Sequence, residues 1–468
     1  MLVHFVAIGF ANCAMVCGQG IQVEPAVTVL EDAVSATIAT AEKSVVAIAR
    51  GPKAADGAAR DFDEPFPADE YGTGVVIDAD GLVLTNYHLL GDPKASSYAI
   101  TLDGKKFFPA NIKAADPWTD LAVLEIQTTE LTAIQLAPNA KIRKGKFVVA
   151  IGNPYGILAG GSPSASFGIV SNLSKLDPQN GESRTVYQHD QLIKTDGEAM
   201  IGGSGGPLVD LQGRMIGLVT SVQAIAGYDQ AGNYAIRVDD RMLRIVDRLK
   251  SGQAPEFGFL GVNPQSLSEQ NRRSVPFGVK IGESNIFRHT PAAKAGLQLN
   301  DIITHFAGSP VHHPDDLVRL VSFSKPSEKI QITVRRADPF LRRMRIITRD
   351  VLLAKRPATR DRVSVSTVGT PDWRGIRVDF VTVSNDFYEL ASRLPADGAV
   401  LVISVEKDSI AWQSGVRDGD LIVKVNKENV SSPSAFQAAV GDLQDDVACE
   451  VIRRNGSREI IAIPASLP

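Results

Sequence analysis

The chain has 468 residues, 44% of them hydrophobic, and its 49 basic and 53 acidic residues leave a formal net charge of −4. A chain of this length is expected to form about three globular domains, each with its own core. Because the charges are balanced and no lysine- and arginine-rich tract occurs, we expect neither a nucleic-acid-binding protein nor one that binds anionic membrane surfaces.

The first segment is apolar. Residues 1–17 contain no lysine, arginine or acidic residue, and polar sequence begins at Gly18. The run is shorter than the roughly 20 residues of a membrane-spanning helix, so we interpret residues 1–18 as a secretory signal peptide. Because no basic residue precedes the apolar core, an uncleaved membrane anchor remains the alternative. Export predicts a periplasmic or secreted protein, or a membrane-associated one if the segment is retained.

Two of the three cysteines, Cys13 and Cys17, lie in this segment. An exported chain without it would retain only Cys449 and could form no internal disulfide bond. Cys449 falls in an alternating apolar run, which predicts a small, buried side chain on a strand.

The next 230 residues show mainly the pattern of a β protein. Residues 22–50 predict a helix followed by a strand, and residues 51–70 predict a long loop. From 71 to 240, short apolar runs alternate with Gly, Asn and Asp turns, which is typical of paired β-barrels. Residues 239–250 have the spacing of an amphipathic helix.

Three separate segments carry a catalytic pattern. His88 ends a predicted hairpin over 72–88, Asp120 stands where a loop enters an apolar strand, and Ser204 lies within a Gly-Gly-Ser-Gly-Gly-Pro run. The order His, Asp, Ser is that of chymotrypsin-type enzymes. We therefore predict Ser204 as nucleophile, His88 as general base and Asp120 as the residue that orients the imidazole. The backbone N–H groups of Gly202 and Ser204 are the predicted oxyanion hole.

The C-terminal half contains an internal repeat. Residues 292–303 are echoed by residues 411–422, 119 positions later. Each copy follows a candidate carboxylate-binding loop, in which consecutive backbone N–H groups can bind a peptide C-terminus. The first loop is formed by Phe259, Leu260, Gly261 and Val262, and the second spans 373–376. Arg374 replaces the usual apolar residue in the second loop, so its ability to bind a ligand is left open.

These motifs together resemble the HtrA (DegP/Deg) family of serine proteases, and the repeat resembles the PDZ signature. The segments that carry the resemblance include TGVVI, TNYH, DPWTDLAVL, IGNPYG, IKTD and GGSGGPLV. The resemblance implies a mostly β fold, with a chymotrypsin-like double β-barrel protease domain over 24–250. Two PDZ-like α+β domains are expected to follow, over 256–355 and 362–468. It implies no metal, nucleotide or other cofactor.

The resemblance also implies an activity and its partners. The expected function is ATP-independent hydrolysis of peptide bonds in unfolded or damaged proteins by a trimer-based homo-oligomer, with peptide C-termini bound by the first PDZ domain. Ala199 and Thr220 are the expected pocket residues, and the small Ala199 predicts cleavage after aliphatic side chains. The alternative is a non-proteolytic chaperone or peptide-binding scaffold, which the unusual Met200, Ile201 and Gly203 keep open.

Overall fold

The structure is a computed structural model of the chain. It describes residues 25–53, 66, 68–102, 106–128, 131–153, 162–174, 192–197, 202–221, 233–286, 290–338, 340, 343–357, 364–368, 372–384, 387, 390, 394–395, 397–441 and 443–466. The segment interpreted as a signal peptide, most of the predicted loop over 51–70, and pocket residue Ala199 lie outside these residues. In the described ranges, no helix combines the length and the apolar character that a bilayer-spanning segment requires.

The fold begins with the predicted helix and strand. Helix α1 spans Pro25–Ala41 and ends in a short 3-10 turn that leads into the first strand. Its inner face, with Val34 and Ile38, packs against the hydrophobic core between the two barrels, and the Thr37 hydroxyl donates to the carbonyl of Leu211 at 3.0 Å. This hydrogen bond attaches the N-terminal helix to the second barrel.

Six strands close the first barrel in the order β5-β4-β1-β2-β3-β6, with β6 pairing back to β5. Apolar side chains such as Val46, Ile100 and Leu124 fill it, each at most 1% exposed. The strands are β1 (Val45–Pro52), β2 (Glu70–Asp78), β3 (Leu82–Asn86), β4 (Ser96–Thr101), β5 (Phe108–Asp116) and β6 (Leu121–Ile126).

The second barrel is also closed by six strands, in the order β10-β11-β12-β9-β8-β7. A shared core joins the two barrels, because side chains of both, such as Leu84 and Leu218, belong to one buried cluster. The strands are β7 (Phe147–Gly152), β8 (Ser164–Ser174), β9 (Leu192–Thr195), β10 (Pro207–Val209), β11 (Met215–Ser221) and β12 (Asn233–Arg237).

Helix α2 (Asp240–Lys250) ends the protease region and confirms the amphipathic helix predicted from the sequence. The side chain of Asp239 caps its N-terminus by accepting from the N–H groups of Arg241 and Met242. Its buried face carries Met242 and Leu249 into the core between the barrels.

The first PDZ domain is an antiparallel sheet in the order β14-β15-β16-β18-β19, so β14 is an edge strand. Helix α5 packs beside β13 and β14. The strands are β13 (Gly258–Phe259), β14 (Val262–Ser266), β15 (Val279–Ile286), β16 (Ile302–Phe306), β17 (Ser309–Pro310), β18 (Lys329–Asp338), β19 (Arg343–Leu352) and β20 (Ala354–Lys355), and the helices are α3 (Glu269–Ser274), α4 (Pro291–Lys294) and α5 (Pro314–Phe323).

A two-residue strand, β21 (Val365–Ser366), lies in the chain between the two PDZ sheets, and the second PDZ sheet repeats the order as β22-β23-β24-β26-β27. Cys449 is fully buried in its core, as predicted. The remaining strands are β22 (Ile376–Phe380), β23 (Val400–Val405), β24 (Leu421–Val425), β25 (Glu428–Asn429), β26 (Val447–Ile452) and β27 (Arg458–Ile463), and the helices are α6 (Ile410–Gln413) and α7 (Pro433–Val440).

The sequence repeat has a structural cause. Its aspartates, Asp301 and Asp420, are buried at the start of equivalent strands. Asp301 accepts two hydrogen bonds from Arg336, at 2.7 and 2.8 Å, and Asp420 accepts one from Arg453 at 2.6 Å. A buried carboxylate needs such charged partners, so the repeated aspartate marks the same buried ion pair in both domains.

Candidate active site

Asp120 is held in an unusual backbone conformation at the entry to β6. Its φ of 56° lies in the left-handed region, which costs a non-glycine residue on the order of 1–3 kcal/mol. The Asp120 carbonyl accepts from the N–H of Tyr87 at 3.0 Å and from the side-chain amide of Asn86 at 3.1 Å. These two contacts attach the aspartate to the turn that carries the histidine.

His88 lies in a single 3-10 turn, Tyr87–Leu90, directly after β3. Its Nδ1 is 2.9 Å from Asp120 Oδ2 and 3.0 Å from Oδ1, and its backbone N–H donates to Oδ1 at 3.0 Å. Because an ionised carboxylate only accepts hydrogen bonds, Nδ1 carries a proton and Nε2 of the neutral ring is left as the acceptor. This is the tautomer that a general base requires. The His88 side chain remains 19% exposed, so the ring is within reach of solvent.

Thr220 also contacts this aspartate. Its buried hydroxyl donates to Asp120 Oδ2 at 3.1 Å, across the boundary between the barrels. The described contact of Thr220 is therefore with the aspartate, and its assignment to the substrate pocket remains a prediction. The carboxylate is 5% exposed and accepts three kinds of hydrogen bond, which restrict its orientation.

Ser204 stands on a tight turn before β10. Gly202 and Gly205 adopt φ values of 75° and 86°, which favour glycine. A Cβ on Gly205 would lie 2.0 Å from the carbonyl oxygen of Thr73, and one on Gly206 would lie 2.1 Å from that of Ile151. The glycines are needed because the turn is pressed against backbone from both barrels.

Thr73 is a site residue that sequence reasoning missed. It is fully buried on β2, and its hydroxyl donates to the Gly202 carbonyl at 2.8 Å and accepts from the N–H of Asn153 at 2.9 Å. Its own N–H donates to the Ser204 carbonyl at 3.1 Å. One threonine of the first barrel thus fixes two carbonyl groups of the nucleophile turn in the second. The sequence around Gly72-Thr73-Gly74 predicts a strand, but it does not predict hydrogen bonds to residues so far along the chain.

The loop before Asp120 has its own buried anchor. Asp116 is fully buried, and its Oδ2 accepts from the N–H of Thr119 at 2.9 Å and from the Thr119 hydroxyl at 2.8 Å. Burial raises the pKa of Asp116 to about 6, and the hydrogen bonds from Thr119 oppose this shift. Asp116 therefore fixes the backbone of Thr119, the residue directly before Asp120.

The predicted carboxylate-binding loop of the first PDZ domain is open. Gly261 has a φ of 80°, and the Leu260 carbonyl accepts from the N–H of Ala292 at the start of α4. Among the described residues, no acceptor is bonded to the N–H groups of Leu260 and Gly261. The adjoining β14 is an edge strand, so its free edge lies beside the loop.

The equivalent loop of the second PDZ domain is occupied by the chain itself. The Gly375 N–H donates to the carboxylate of Asp372 at 2.7 Å, and the Ile376 N–H donates to the Trp373 carbonyl at 2.9 Å. The Arg374 guanidinium donates to four backbone carbonyls, those of Leu443, Asp445, Ile463 and Pro464. Two of the loop's donors are therefore engaged by internal acceptors.

Comparison with known proteins agrees with this architecture. The family model for a trypsin-like peptidase domain matches residues 72–218, and two models for PDZ domains match residues 258–341 and 401–453. Fold and sequence together define a trypsin-like serine peptidase that carries two PDZ domains, as the sequence motifs predicted.

Curated relatives narrow the class to a family. The DegP-like periplasmic serine endoprotease of Brucella suis is 31% identical over 400 residues, which cover 84% of this chain and 73% of the relative. That of Chlamydia pneumoniae is 30% identical over 384 residues, covering 80% and 72%. The chain belongs to the DegP-like (HtrA) family of serine endoproteases. The non-proteolytic alternative is not favoured.

Solved structures support the fold. The HtrA-type protease AlgW with a decapeptide has a TM-score of 0.54 at 24% identity, over 69% of this chain and 99% of the other. A serine endoprotease from Yersinia pestis has a TM-score of 0.51 at 23% identity, over 69% and 97%.

Proposed function

We propose that His88, Asp120 and Ser204 form the catalytic triad of this endopeptidase. The observation that carries the proposal is the contact of the Asp120 carboxylate with both the Nδ1 and the backbone N–H of His88. Thr73 and Thr220 support it, because they connect the nucleophile turn and the aspartate across the boundary between the barrels.

The proposed reaction gives each of the three residues one role. The Ser204 oxygen attacks the carbonyl carbon of the scissile peptide bond while His88 Nε2 takes the hydroxyl proton. Asp120 stabilises the imidazolium that forms, and the imidazolium then protonates the leaving amine. Water hydrolyses the acyl-enzyme by the same proton transfers in reverse. The N–H groups of Gly202 and Ser204 stabilise the oxyanion, and losing one such donor typically costs about 10²–10³ in rate.

The substrates proposed are unfolded or damaged proteins of the periplasm, the compartment named for the relatives. Ala199 and Thr220 are proposed to line a pocket for aliphatic side chains, which folded proteins bury and unfolded ones expose. No acidic residue occupies position 199, so we do not expect cleavage after lysine or arginine to dominate.

The first PDZ domain is proposed to bind peptide C-termini through Phe259, Leu260, Gly261 and Val262. The open N–H groups of the loop would donate hydrogen bonds to the carboxylate, and the edge of β14 would pair with the peptide backbone. We further propose domain ranges of 24–250, 256–355 and 362–468, and a trimer-based homo-oligomer that light scattering would detect.

A serine-to-alanine pair tests the nucleophile. Ser204→Ala should abolish cleavage of an unfolded casein-type substrate with the melting temperature unchanged. Ser171→Ala is the matched control, because the Ser171 hydroxyl binds the Lys194 carbonyl on the wall of the same barrel. Cleavage by purified Ser204→Ala at the rate of the control variant would refute the assignment.

A further inference from the structure

The chain between the sheets of the two PDZ domains returns to the protease domain. Its described residues, 356–357 and 364–368, are called the inter-PDZ segment, and they include the first part of the range proposed for the second PDZ domain. Strand β21 pairs with β5 of the first barrel, placing Val365 opposite Ala115 and Ser366 opposite Ala114. The Val365 side chain packs against the barrel core. The Thr367 hydroxyl donates to the Lys113 carbonyl at 2.8 Å. The first barrel therefore has an added strand that comes from a segment about 250 residues further along the chain.

This segment contacts the loop that carries the catalytic aspartate. The Ser364 hydroxyl donates to Oδ1 of the buried Asp116 at 3.2 Å, while Oδ2 of the same carboxylate accepts from Thr119. Thr119 is bonded directly to Asp120. Two hydrogen-bonded steps and one peptide bond thus lead from the inter-PDZ segment to the residue that orients His88.

A second contact reaches the same loop from the other end of the segment. The Arg356 guanidinium lies 3.8 Å from the centroid of the Trp118 ring, a distance at which a cation and an indole face attract each other. The backbone N–H of Arg356 donates to the Phe257 carbonyl at 2.8 Å, which fixes this residue to the base of the first PDZ domain. The loop over 116–120 is therefore held at two points by residues that belong to the PDZ region.

We propose that the inter-PDZ segment positions the catalytic aspartate, with Ser364 and Arg356 as positioning residues. The backbone of Asp120 is left-handed, a conformation that persists only where its surroundings enforce it. Ser364 acts through Asp116 and Thr119, and Arg356 acts through Trp118. A displacement of the PDZ domains that removes these contacts would relax Asp120 and slow proton transfer, which links the position of the PDZ domains to the rate of catalysis.

The inference rests on the proposed triad and is tested in the full chain. Ser364→Ala should lower kcat about threefold to tenfold for a short chromogenic peptide while leaving KM unchanged, because one positioning hydrogen bond is lost and the binding cleft is not altered. The acidic limb of the pH profile of kcat/KM should shift as well, since the aspartate sets the basicity of His88. Ser364→Thr, which retains the hydroxyl, should restore both values.

Ser366→Ala is the matched control, because Ser366 lies two residues further along the same segment, on β21, and its hydroxyl accepts from the Ala254 N–H. It should stay within twofold of the wild-type kcat. Arg356→Met, which keeps the length of the side chain and removes the charge, provides an independent second variant and should also lower kcat with KM unchanged.

Equal kcat in Ser364→Ala and Ser366→Ala, or a change confined to KM, would overturn the proposal. Activity in Ser204→Ala would instead refute the triad itself, so the two failures are distinguishable. If Ser364→Ala lowered the melting temperature without changing kcat at a temperature where it is folded, the segment would be structural only and the proposal wrong.

Discussion

The two PDZ domains share a sheet order, a buried aspartate–arginine pair and a glycine in the left-handed region of the loop, but their loops are in opposite states. Gly261 and Gly375 have φ values of 80° and 87°, and each packs against the N-cap residue of a short helix, Thr290 of α4 or Ser409 of α6. The position three before the glycine differs. It is Gly258 in the first domain and Asp372 in the second, and only the aspartate can place a carboxylate on the loop.

The difference shows that a PDZ signature predicts the fold more securely than it predicts ligand binding. Asp372 supplies internally the negative charge that a peptide C-terminus would bring, and the Arg374 guanidinium is engaged by backbone carbonyls of its own domain. We therefore expect the first domain to bind peptides, and the second to serve as a folded support that packs against the first through the Lys355–Asp379 ion pair.

The largest expected effects come from the two loop glycines. A Cβ on Gly261 would lie 2.3 Å from Thr290 Cβ, and one on Gly375 would lie 2.2 Å from Ser409 Cβ. Either alanine should destabilise its own domain by several kcal/mol, because contact and backbone strain add. Fluorescence polarisation with a labelled apolar peptide should show lost binding in Gly261→Ala and unchanged binding in Gly375→Ala. Equal losses in both would contradict the comparison.

Arg374 is expected to act on stability alone. Arg374→Ala leaves four carbonyl groups without their guanidinium donor and should lower the stability of the second PDZ domain by roughly 2–4 kcal/mol. Arg374→Lys should recover little of this, because an ammonium group cannot reproduce the planar fork. The measurements are the thermal unfolding temperature and the hydrogen-exchange protection of residues 372–466. A loss of peptide binding without a loss of protection would show that Arg374 contacts ligand instead.

Asp372→Ala tests whether the second loop is closed by its own aspartate. The substitution frees the Gly375 N–H and should add a second, weak peptide-binding event to the titration of the full chain. Asp446→Ala is a matched control, because the Asp446 carboxylate accepts from the N–H of Ala465 in the same domain and, among the described residues, does not bind the loop. A single binding event in both variants would show that removing the internal carboxylate is not enough to open the loop.

The smallest expected effect is on Cys449, whose thiol should react only slowly with an alkylating reagent in the folded protein. Burial raises the pKa of its thiol to about 12 from an ordinary value of 9.0, so the thiol stays neutral and enclosed in mildly alkaline solution. The raised pKa contributes stability below pH 9, and that contribution is lost as the pH rises toward 12. Iodoacetamide at pH 8.5, with the modified sites mapped by mass spectrometry, should modify Cys449 of the wild type only after denaturation. In Arg374→Ala, whose second PDZ domain is less stable, native-state modification of Cys449 should be faster than in the wild type. Rapid native modification would show that the second PDZ domain opens readily.

Local patterns were sufficient for much of this molecule. Apolar spacing predicted the helices at 25–41 and 240–250, and turn residues between short strands predicted the barrels. Contacts between distant segments could not be predicted. Nothing local links Thr73 to Gly202 or Ser364 to Asp116, residues 129 and 248 positions apart. A two-residue strand such as β21 is too short to show any periodicity, and an exposed Asp372 looks like an ordinary turn residue until the loop is folded.

The central claim is that Ser204 is a nucleophile activated by His88 and Asp120. A fluorophosphonate probe measures this directly, because it reacts only with a serine whose proton is removed by a neighbouring base and whose oxyanion hole is assembled. We predict a single modified site, Ser204, in the wild-type chain, with labelling slowed at least about a thousandfold in His88→Ala and Asp120→Asn. Unmodified Ser204 in the wild type, or equal labelling in all three proteins, would contradict the account.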